Sequence, residues 1–291
     1  MSDLILPRPM TPRQRMLSRF AKHRLAVFSL IILFILCGLS IAAPIIEHML
    51  GVDGSMVNLF NRIAPPSDEH LLGTDELGRD LFIRLLFGGR ISLAIGLTAA
   101  VLSAIIGTII GLCSGYFGGW LDSLLMRFTD GIIALPLLPL LIVLAAIDLN
   151  KLGLPESFTQ SDQLSLYRIV LIISLVGWTT VARLVRAETL SLKSRDFVVA
   201  ARAQGASSRH ILTNHVLPNV MSPIVVATTL TIGNVILFES VLSFLALGVQ
   251  PPFPSWGNML TNVQDNIWDA PMLAFWPGAC IFLTVIAFNF L

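Results

Sequence analysis

Long runs of uncharged, apolar residues constrain this sequence more than any other feature. No charged residue occurs in Leu25–Ile46 or in Ile91–Leu121, and each run is at least as long as the roughly 20 apolar residues that a helix needs to cross a bilayer. Charged residues make up 13% of the chain, whereas soluble domains carry about 25%. Lipid cannot satisfy open backbone groups, so such runs must be helical. The sequence therefore predicts an all-α polytopic membrane protein.

Six transmembrane helices are predicted. The fourth has the shortest uncharged core, so we expect it to start near Ser165 and to let Arg168 and Arg183 extend to the two interfaces. The second run also leaves room for a turn at Gly118-Gly119. The segments predicted to hold the spans are 25–46, 91–121, 131–147, 165–183, 220–247 and 271–291.

The positions of lysine and arginine predict the orientation of these spans. Thirteen of the 19 fall on one side, in the tail 1–24, after the second span and after the fourth. Cytoplasmic loops carry the excess of Lys and Arg, so we expect a cytoplasmic basic tail at 1–24 and an extracytoplasmic segment at 47–90. A core domain of five spans follows at 91–291. The net charge of +1 provides no basic field that would attract nucleic acid.

The outer segment, 47–90, is too long to be a simple turn. It carries seven acidic residues and a turn sequence at 64–67. Its end, Asp80–Phe87, is predicted to form a short amphipathic helix at the membrane interface, separated from the second span by Gly88-Gly89.

The inner segment, 188–218, predicts a projection made of two helical pieces around a glycine. The first piece extends to Gln204, and Gly205 supplies the left-handed residue that ends it. The second piece extends to Leu217, and Pro218 suits the first turn of the fifth span. Candidate caps are Ser194 or Asp196 for the first piece and Ser207 or Ser208 for the second.

The second span has a small residue at every fourth position. Such a row lets the backbone of another helix approach closely, so we interpret it as a helix-packing ridge in preference to a substrate-lining surface. The ridge consists of Ala99, Ser103, Gly107, Gly111 and Gly115.

Glu239 is an acidic residue inside the predicted fifth span. A charge near the bilayer centre costs at least about 2.5–3.5 kcal/mol, so it must face the bundle, a partner or water. One interpretation is a pathway or gating residue, to which Asn234 in the same helix could contribute. The other is a residue that only ties two helices together. The sequence leaves both open.

The sequence signatures of common enzymes are absent. It contains no GxxxxGK[ST], HExxH, GxSxG or CxxC motif. We interpret His210 and His215 as polar contacts and the three cysteines as membrane-buried apolar residues. An intramembrane enzyme would need a partner for Glu239, and a channel would need a filter or a ring of charges. Neither is readable, which favours a transport subunit.

Val198–Ser207, followed by His215–Asn219, resembles the EAA loop of bacterial ABC-importer permeases. That motif is Glu-Ala-Ala, three residues, Gly, nine residues, Ile, one residue, Leu-Pro. The spacing from Gly205 to Leu217-Pro218 matches, while Val199 stands in place of Glu and His215 in place of Ile. The resemblance implies a loop that couples to ATPase subunits through Ala200, Ala201, Gly205, Ala206, Ser207, His215, Leu217 and Pro218.

Further stretches are similar to the C-subunit type of dipeptide/oligopeptide permease. They are residues 23–28, 72–80, 115–120, 242–252 and 254–258. The resemblance covers nearly the whole chain and implies the type I ABC importer permease (MetI-like) architecture. Relatives of this type continue past Leu291 into a short polar tail, so a longer chain is expected.

The resemblance also implies partners. These are a homologous second permease, two ATPase subunits that hold ATP and Mg²⁺, and an extracytoplasmic solute-binding protein that could dock on the outer segment. No catalytic residue, cofactor or metal is expected in this subunit itself. The expected location is the bacterial cytoplasmic (inner) membrane. Peptides are the leading solute class, with nickel, glutathione and opine-like compounds as alternatives.

Overall fold

The computed structural model describes residues 21–147, 163–261 and 263–291. Within these ranges every regular element is helical, apart from one isolated bridge between Thr74 and Asp80, as predicted. Most of the basic tail 1–24 and most of the connection between the third and fourth predicted spans lie outside the described residues. The α-helices are α1 Arg24–Leu50, α2 Leu81–Phe117, α3 Gly119–Ala134, α4 Leu137–Ala146, α5 Leu164–Lys193, α6 Asp196–Ala203, α7 Ser208–Phe244, α8 Val263–Asn266 and α9 Met272–Phe290.

Five of these helices are long and apolar enough to cross a membrane, namely α1, α2, α5, α7 and α9. Together, α3 and α4 meet the same criteria, but their axes differ by 88° across a short break. When this bent pair is counted as one span, the described residues provide the six predicted spans.

The third predicted span is wrong as a single helix over 131–147. α3 already begins at Gly119, and the helix breaks at Leu135 and Pro136, whose backbones are extended. Proline has no N–H to donate and disfavours the helical conformation of the residue before it. The uncharged run therefore spans a sharp change of direction.

The predicted short interfacial helix at Asp80–Phe87 is also wrong as a separate element. These residues are the N-cap and first turns of α2, which runs without interruption to Phe117. The Asp80 carboxylate accepts a hydrogen bond from the Ile83 N–H at 2.8 Å. Gly88-Gly89 lies inside the helix, where the absence of side chains lets Trp256 pack closely. The two glycines serve close packing and do not end a helix.

The central pair of the bundle is α2 and α5, against which α7 packs. Apolar side chains of α2, α4, α5, α7 and α9, together with Trp256 of the loop after α7, form the main core. A second apolar cluster lies where α2 and α5 end, and it includes Tyr116, Val185 and Val198. Because Val198 belongs to α6, this cluster fixes the short helix against the ends of the long ones.

The segment between α1 and α2 has a defined structure. The Asp75 carboxylate pairs with Arg79 at 2.8 Å and with Arg84 at 3.2 Å. His70 contacts the Asp80 carboxylate at 2.9 Å. Gly78 has a φ of +71° and lies directly against the Asn58 carbonyl, where a side chain would collide. The stretch 72–80 is therefore a scaffold that holds the rest of the outer segment.

Candidate functional site

The inner projection begins with α6, which follows the long helix α5 after a two-residue turn at Ser194 and Arg195. Val198 is fully buried in the second apolar cluster. The opposite face is exposed and small, because Ala200 and Ala203 carry only methyl groups there. The helix is therefore held firmly from one side and presents a slim surface on the other.

Gly205 ends α6 in a left-handed conformation with φ of +83°. The Gly205 N–H donates to the Arg202 carbonyl at 3.0 Å, and the Ala206 N–H donates to the Ala201 carbonyl at 3.1 Å. These two hydrogen bonds form a Schellman motif, which satisfies the last carbonyls of a helix. No atom lies within 4 Å of the position that a Cβ of Gly205 would take. The glycine is thus required by the backbone conformation and not by crowding.

The second half of the projection is continuous with the fifth span. The Ser207 hydroxyl accepts the His210 N–H at 3.3 Å, and α7 then runs from Ser208 to Phe244. Its early part, Ile211–Val216, is a π-helical stretch directly before Leu217 and Pro218. Pro218 lies in the first turn of the α-helical part, Leu217–Phe244, as predicted, and the second piece joins this part without a gap. The wider π-helical turn precedes Pro218, which lacks the N–H that an α-helical bond would need.

The π-helical stretch also brings His210 and His215 together, with ring centroids 5.6 Å apart. Residues five apart point in different directions in a regular α-helix. His215 is half-buried and its ring lies 6.4 Å from that of Phe197 in α6. His215 therefore contributes to the contact between the two halves of the projection. Leu217, like Ala201 and Ala206, packs against the second apolar cluster.

Glu239 is fully buried. Its carboxylate accepts hydrogen bonds from the hydroxyls of Ser243 at 2.7 Å and Ser92 at 3.1 Å. The same hydroxyls accept backbone N–H groups of the loop after α7, from Val249 at 3.0 Å and Trp256 at 3.2 Å. Glu239 thus joins α2, α7 and this loop. The arrangement favours the helix-tying role over a pathway role.

Asn234 lies on a different face of α7 and is not brought to Glu239. It is exposed and lines a cavity of about 320 Å³ beside the break between α3 and α4. Thr180 of α5 and Thr231 of α7 line the same cavity.

The small residues of α2 pack directly against α5. A Cβ on Gly107 would lie 2.5 Å from the Trp178 carbonyl oxygen, and one on Gly111 would lie 2.6 Å from that of Ala182. Gly115 faces Thr189 in the same way, and Ser103 is fully buried. The ridge therefore lets two spanning helices meet backbone to backbone.

Sequence reasoning missed the ion pair that holds α3 to α5. The Arg186 guanidinium binds both carboxylate oxygens of Asp122, at 2.6 and 2.7 Å, and Ser114 of α2 donates to the same carboxylate. The only available signal was the presence of charged residues beside predicted spans, which must be paired or reach water.

The described residues hold no group of three His, Cys, Asp or Glu side chains placed to bind a metal ion. The inner projection and the cavity at the broken span both involve residues that the sequence singles out. An anchored helix with an exposed slim face can transmit movement, and a cavity between spans can contact a solute.

Comparison with known proteins agrees with this architecture. The family model described as binding-protein-dependent transport system inner membrane component matches residues 103–291. A second model, the N-terminal TM domain of oligopeptide transport permease C, matches residues 11–59. The first match includes α5, α6, α7 and α9 entirely.

Individual relatives resemble the chain over most of its length. The oligopeptide transport system permease protein OppC of Bacillus subtilis (strain 168) is 38% identical over 93% of this chain and 83% of its own. The dipeptide transport system permease protein DppC of Alkalihalophilus pseudofirmus is 36% identical over 96% and 86%. The glutathione transport system permease protein GsiD of Escherichia coli O6:K15:H31 is 41% identical over 74% and 67%. The chain belongs to the family of inner-membrane permease components of binding-protein-dependent ABC importers.

Proposed function

We propose that this chain forms one half of the translocation path of an ATP-driven importer of di- and oligopeptides. It pairs with a homologous second permease and receives solute from an extracytoplasmic binding protein. Two ATPase subunits bind ATP and Mg²⁺ and supply the energy, so this chain needs no catalytic residue or cofactor of its own. Family membership and the names of its relatives support the proposal.

The observation that supports the coupling role most directly is the anchoring of the inner projection. Movement at an ATPase can reach the spans only through an element that is rigid and in contact with both. α6 is packed through Val198 against the ends of α2 and α5, and Gly205 connects it to α7. A push on the exposed face of α6 would therefore act on three spanning helices.

The proposed location is the bacterial cytoplasmic membrane, with the N-terminus in the cytoplasm. Lys193 and Arg202 lie 5.9 and 5.4 Å from the ring of Tyr116, which is close to the end of α2. The ends of α2 and α5 and the whole of α6 thus share one basic side of the bundle, as expected for a cytoplasmic face.

Uptake by a strain that lacks the chain tests the solute class. We expect cells with the chain deleted to lose uptake of labelled di- or oligopeptides and to regain it when the wild-type chain is supplied. Glutathione is the second candidate, because the relative named for it shares 41% identity. Loss of glutathione, nickel or opine uptake with unchanged peptide uptake would overturn the peptide assignment.

A further inference from the structure

The break between α3 and α4 leaves backbone groups open inside a membrane-spanning region. Leu135 and Pro136 are extended, and no side chain caps the start of α4. Non-helical backbone at membrane depth is tolerated only where protein buries it or where it lines a hydrated cavity. Leu135 and Leu138 are exposed in this chain, so its own helices do not bury the break.

The cavity beside the break is lined mainly by apolar side chains, with a few uncharged polar groups among them. Its volume is about 320 Å³, and its wall includes Leu135 from the break, Thr180 from α5 and both Thr231 and Asn234 from α7. The Thr231 hydroxyl is used within its own helix, where it donates to the Ala227 carbonyl at 2.8 Å. The Asn234 side chain is exposed and forms no hydrogen bond with the described residues.

An amide that faces hydrocarbon without a hydrogen-bonding partner is costly. Polar residues inside spans therefore face a bundle interior, a partner or a water-filled cavity. The Asn234 amide carries both donors and an acceptor. It can consequently form two hydrogen bonds with a peptide bond, which also offers one donor and one acceptor.

No charged side chain lines this cavity. A ligand's ammonium or carboxylate group would find no counter-charge there, and a nickel ion would find no imidazole, thiolate or carboxylate ligand. A mainly apolar lining that also holds the Asn234 amide favours an uncharged part of a solute that can form hydrogen bonds. The volume is at the lower end of the range for ligand sites, so the cavity would hold one part of a longer solute.

We propose that the cavity between the α3–α4 break and α7 is a binding site for the backbone of the transported peptide, with the Asn234 side chain as its main hydrogen-bonding group. The inference rests on the proposed peptide-import function and extends it to a recognition mode. Contacts with the backbone are shared by all peptides, so this site would accept different side chains. It leaves selection of particular peptides to other parts of the transporter.

Uptake by the reconstituted transporter tests the site. We expect Asn234→Leu to lower uptake of several unrelated peptides about tenfold, the change that one net hydrogen bond produces. Thr228→Val is the matched control. Thr228 is also on α7, but it lines a different groove and its hydroxyl donates to Ile224 in its own helix at 2.7 Å. This control should transport normally.

Peptides methylated on backbone nitrogen separate substrate recognition from helix packing. A methyl group on the recognised amide should reduce wild-type uptake to the level of Asn234→Leu and should reduce the mutant no further. Equal wild-type uptake of methylated and unmethylated peptides would overturn backbone recognition, whether or not Asn234→Leu assembles with the second permease.

Thiol labelling supplies a second readout that does not depend on Asn234→Leu. In a chain whose native cysteines are replaced, Asn234→Cys should react with a water-soluble thiol reagent and be protected by added peptide, while Thr228→Cys should show no protection. Peptide uptake with unprotected Cys at 234 would overturn the site and leave the proposed function intact. Protection by a non-peptide solute, with no peptide uptake by the wild type, would overturn both.

Discussion

Glu239 shows what a single carboxylate inside a span requires of its surroundings. It is fully buried, and two serine hydroxyls from different helices donate to it. Each of those hydroxyls also accepts a backbone N–H from the loop after α7. The Glu239 carboxylate therefore positions the loop after α7 indirectly, because it orients the Ser92 and Ser243 hydroxyls that bind the loop's backbone.

Replacing Glu239 tests this network. Glu239→Leu leaves the hydroxyls of Ser92 and Ser243 without their acceptor, and we expect a loss of stability of about 1–3 kcal/mol for each such group. Glu239→Gln is the matched control, because it keeps an acceptor oxygen and the same length, and it should unfold close to the wild type. Thermal unfolding in detergent provides the measurement. Wild-type unfolding of Glu239→Leu would contradict the structural role.

Single-residue roles could be predicted only in part. The sequence identifies Glu239 as unusual, since an acid inside an apolar run is expensive. It does not identify Ser92 as the partner, because the two are 147 positions apart and serine is common in spans. The pairing of Asp122 with Arg186 could not be predicted for the same reason, because the two residues lie in different helices and far apart in the sequence.

At the scale of helices, the contact between α2 and α5 depends on glycines, which have no side chain to separate the two backbones. A Cβ on Gly111 would lie 2.6 Å from the Ala182 carbonyl oxygen and 2.8 Å from the Val185 Cβ. The first of these atoms is backbone and cannot move without the helix. Close approach of the two helices therefore requires glycine along the ridge.

Gly111→Ala is expected to push α2 and α5 apart and to lower stability by about 1–3 kcal/mol, as overpacking does. Gly278→Ala is the matched control, because Gly278 also lies in a spanning helix but has no atom within 4 Å of its would-be Cβ. Both chains can be compared by thermal unfolding of the purified transporter. Equal unfolding temperatures would show that the contact is loose.

The projection makes a second prediction at this scale. Gly205 has a φ of +83°, and a β-branched residue is strained there by about 1–2 kcal/mol. We expect Gly205→Val to insert in the membrane but to bind the ATPase weakly or to hydrolyse ATP without uptake. Gly205→Asn is the control, since Asn tolerates the left-handed region. The measurements are the amount of ATPase that co-purifies with the chain and the number of ATP molecules hydrolysed per solute transported. Normal values of both in Gly205→Val would exclude the projection as the coupling element.

The sequence predicts that the helices exist, but it does not predict every position at which a helix ends or breaks. Apolar runs indicate spans because the bilayer fixes their length. The glycine pair at 88–89 suggested an end to a helix, but Trp256 uses the space above it. Conversely, the run 131–147 suggested one helix, and Pro136 divides it. Tertiary packing decides the first case, and a local pattern does not contain it. The second case follows from the local chemistry of proline, which has no N–H and restricts the residue before it.

For the whole molecule, the distribution of basic residues predicts one topology. A reporter at Ser207 should be cytoplasmic and one at Ser67 should be outside, because thirteen of the 19 Lys and Arg residues fall on the side of Ser207. Fusion or cysteine labelling in intact cells gives the result. Finding both positions on the same side would contradict the path of the chain, most directly at the broken span.

The proposed function gives three parts of the molecule different roles. We propose that the outer segment offers a surface to a binding protein, that the bundle with its broken span contacts the solute, and that the inner projection receives movement from the ATPase. Transport would then require all of these subunits together.

The most direct measurement is therefore uptake of a labelled peptide into proteoliposomes that contain this chain, the second permease, the ATPase subunits and the binding protein. We expect the peptide to accumulate only when ATP and the binding protein are present, and omission of this chain to abolish accumulation. Accumulation without ATP, or without this chain, would show that the chain is not part of an ATP-driven peptide importer.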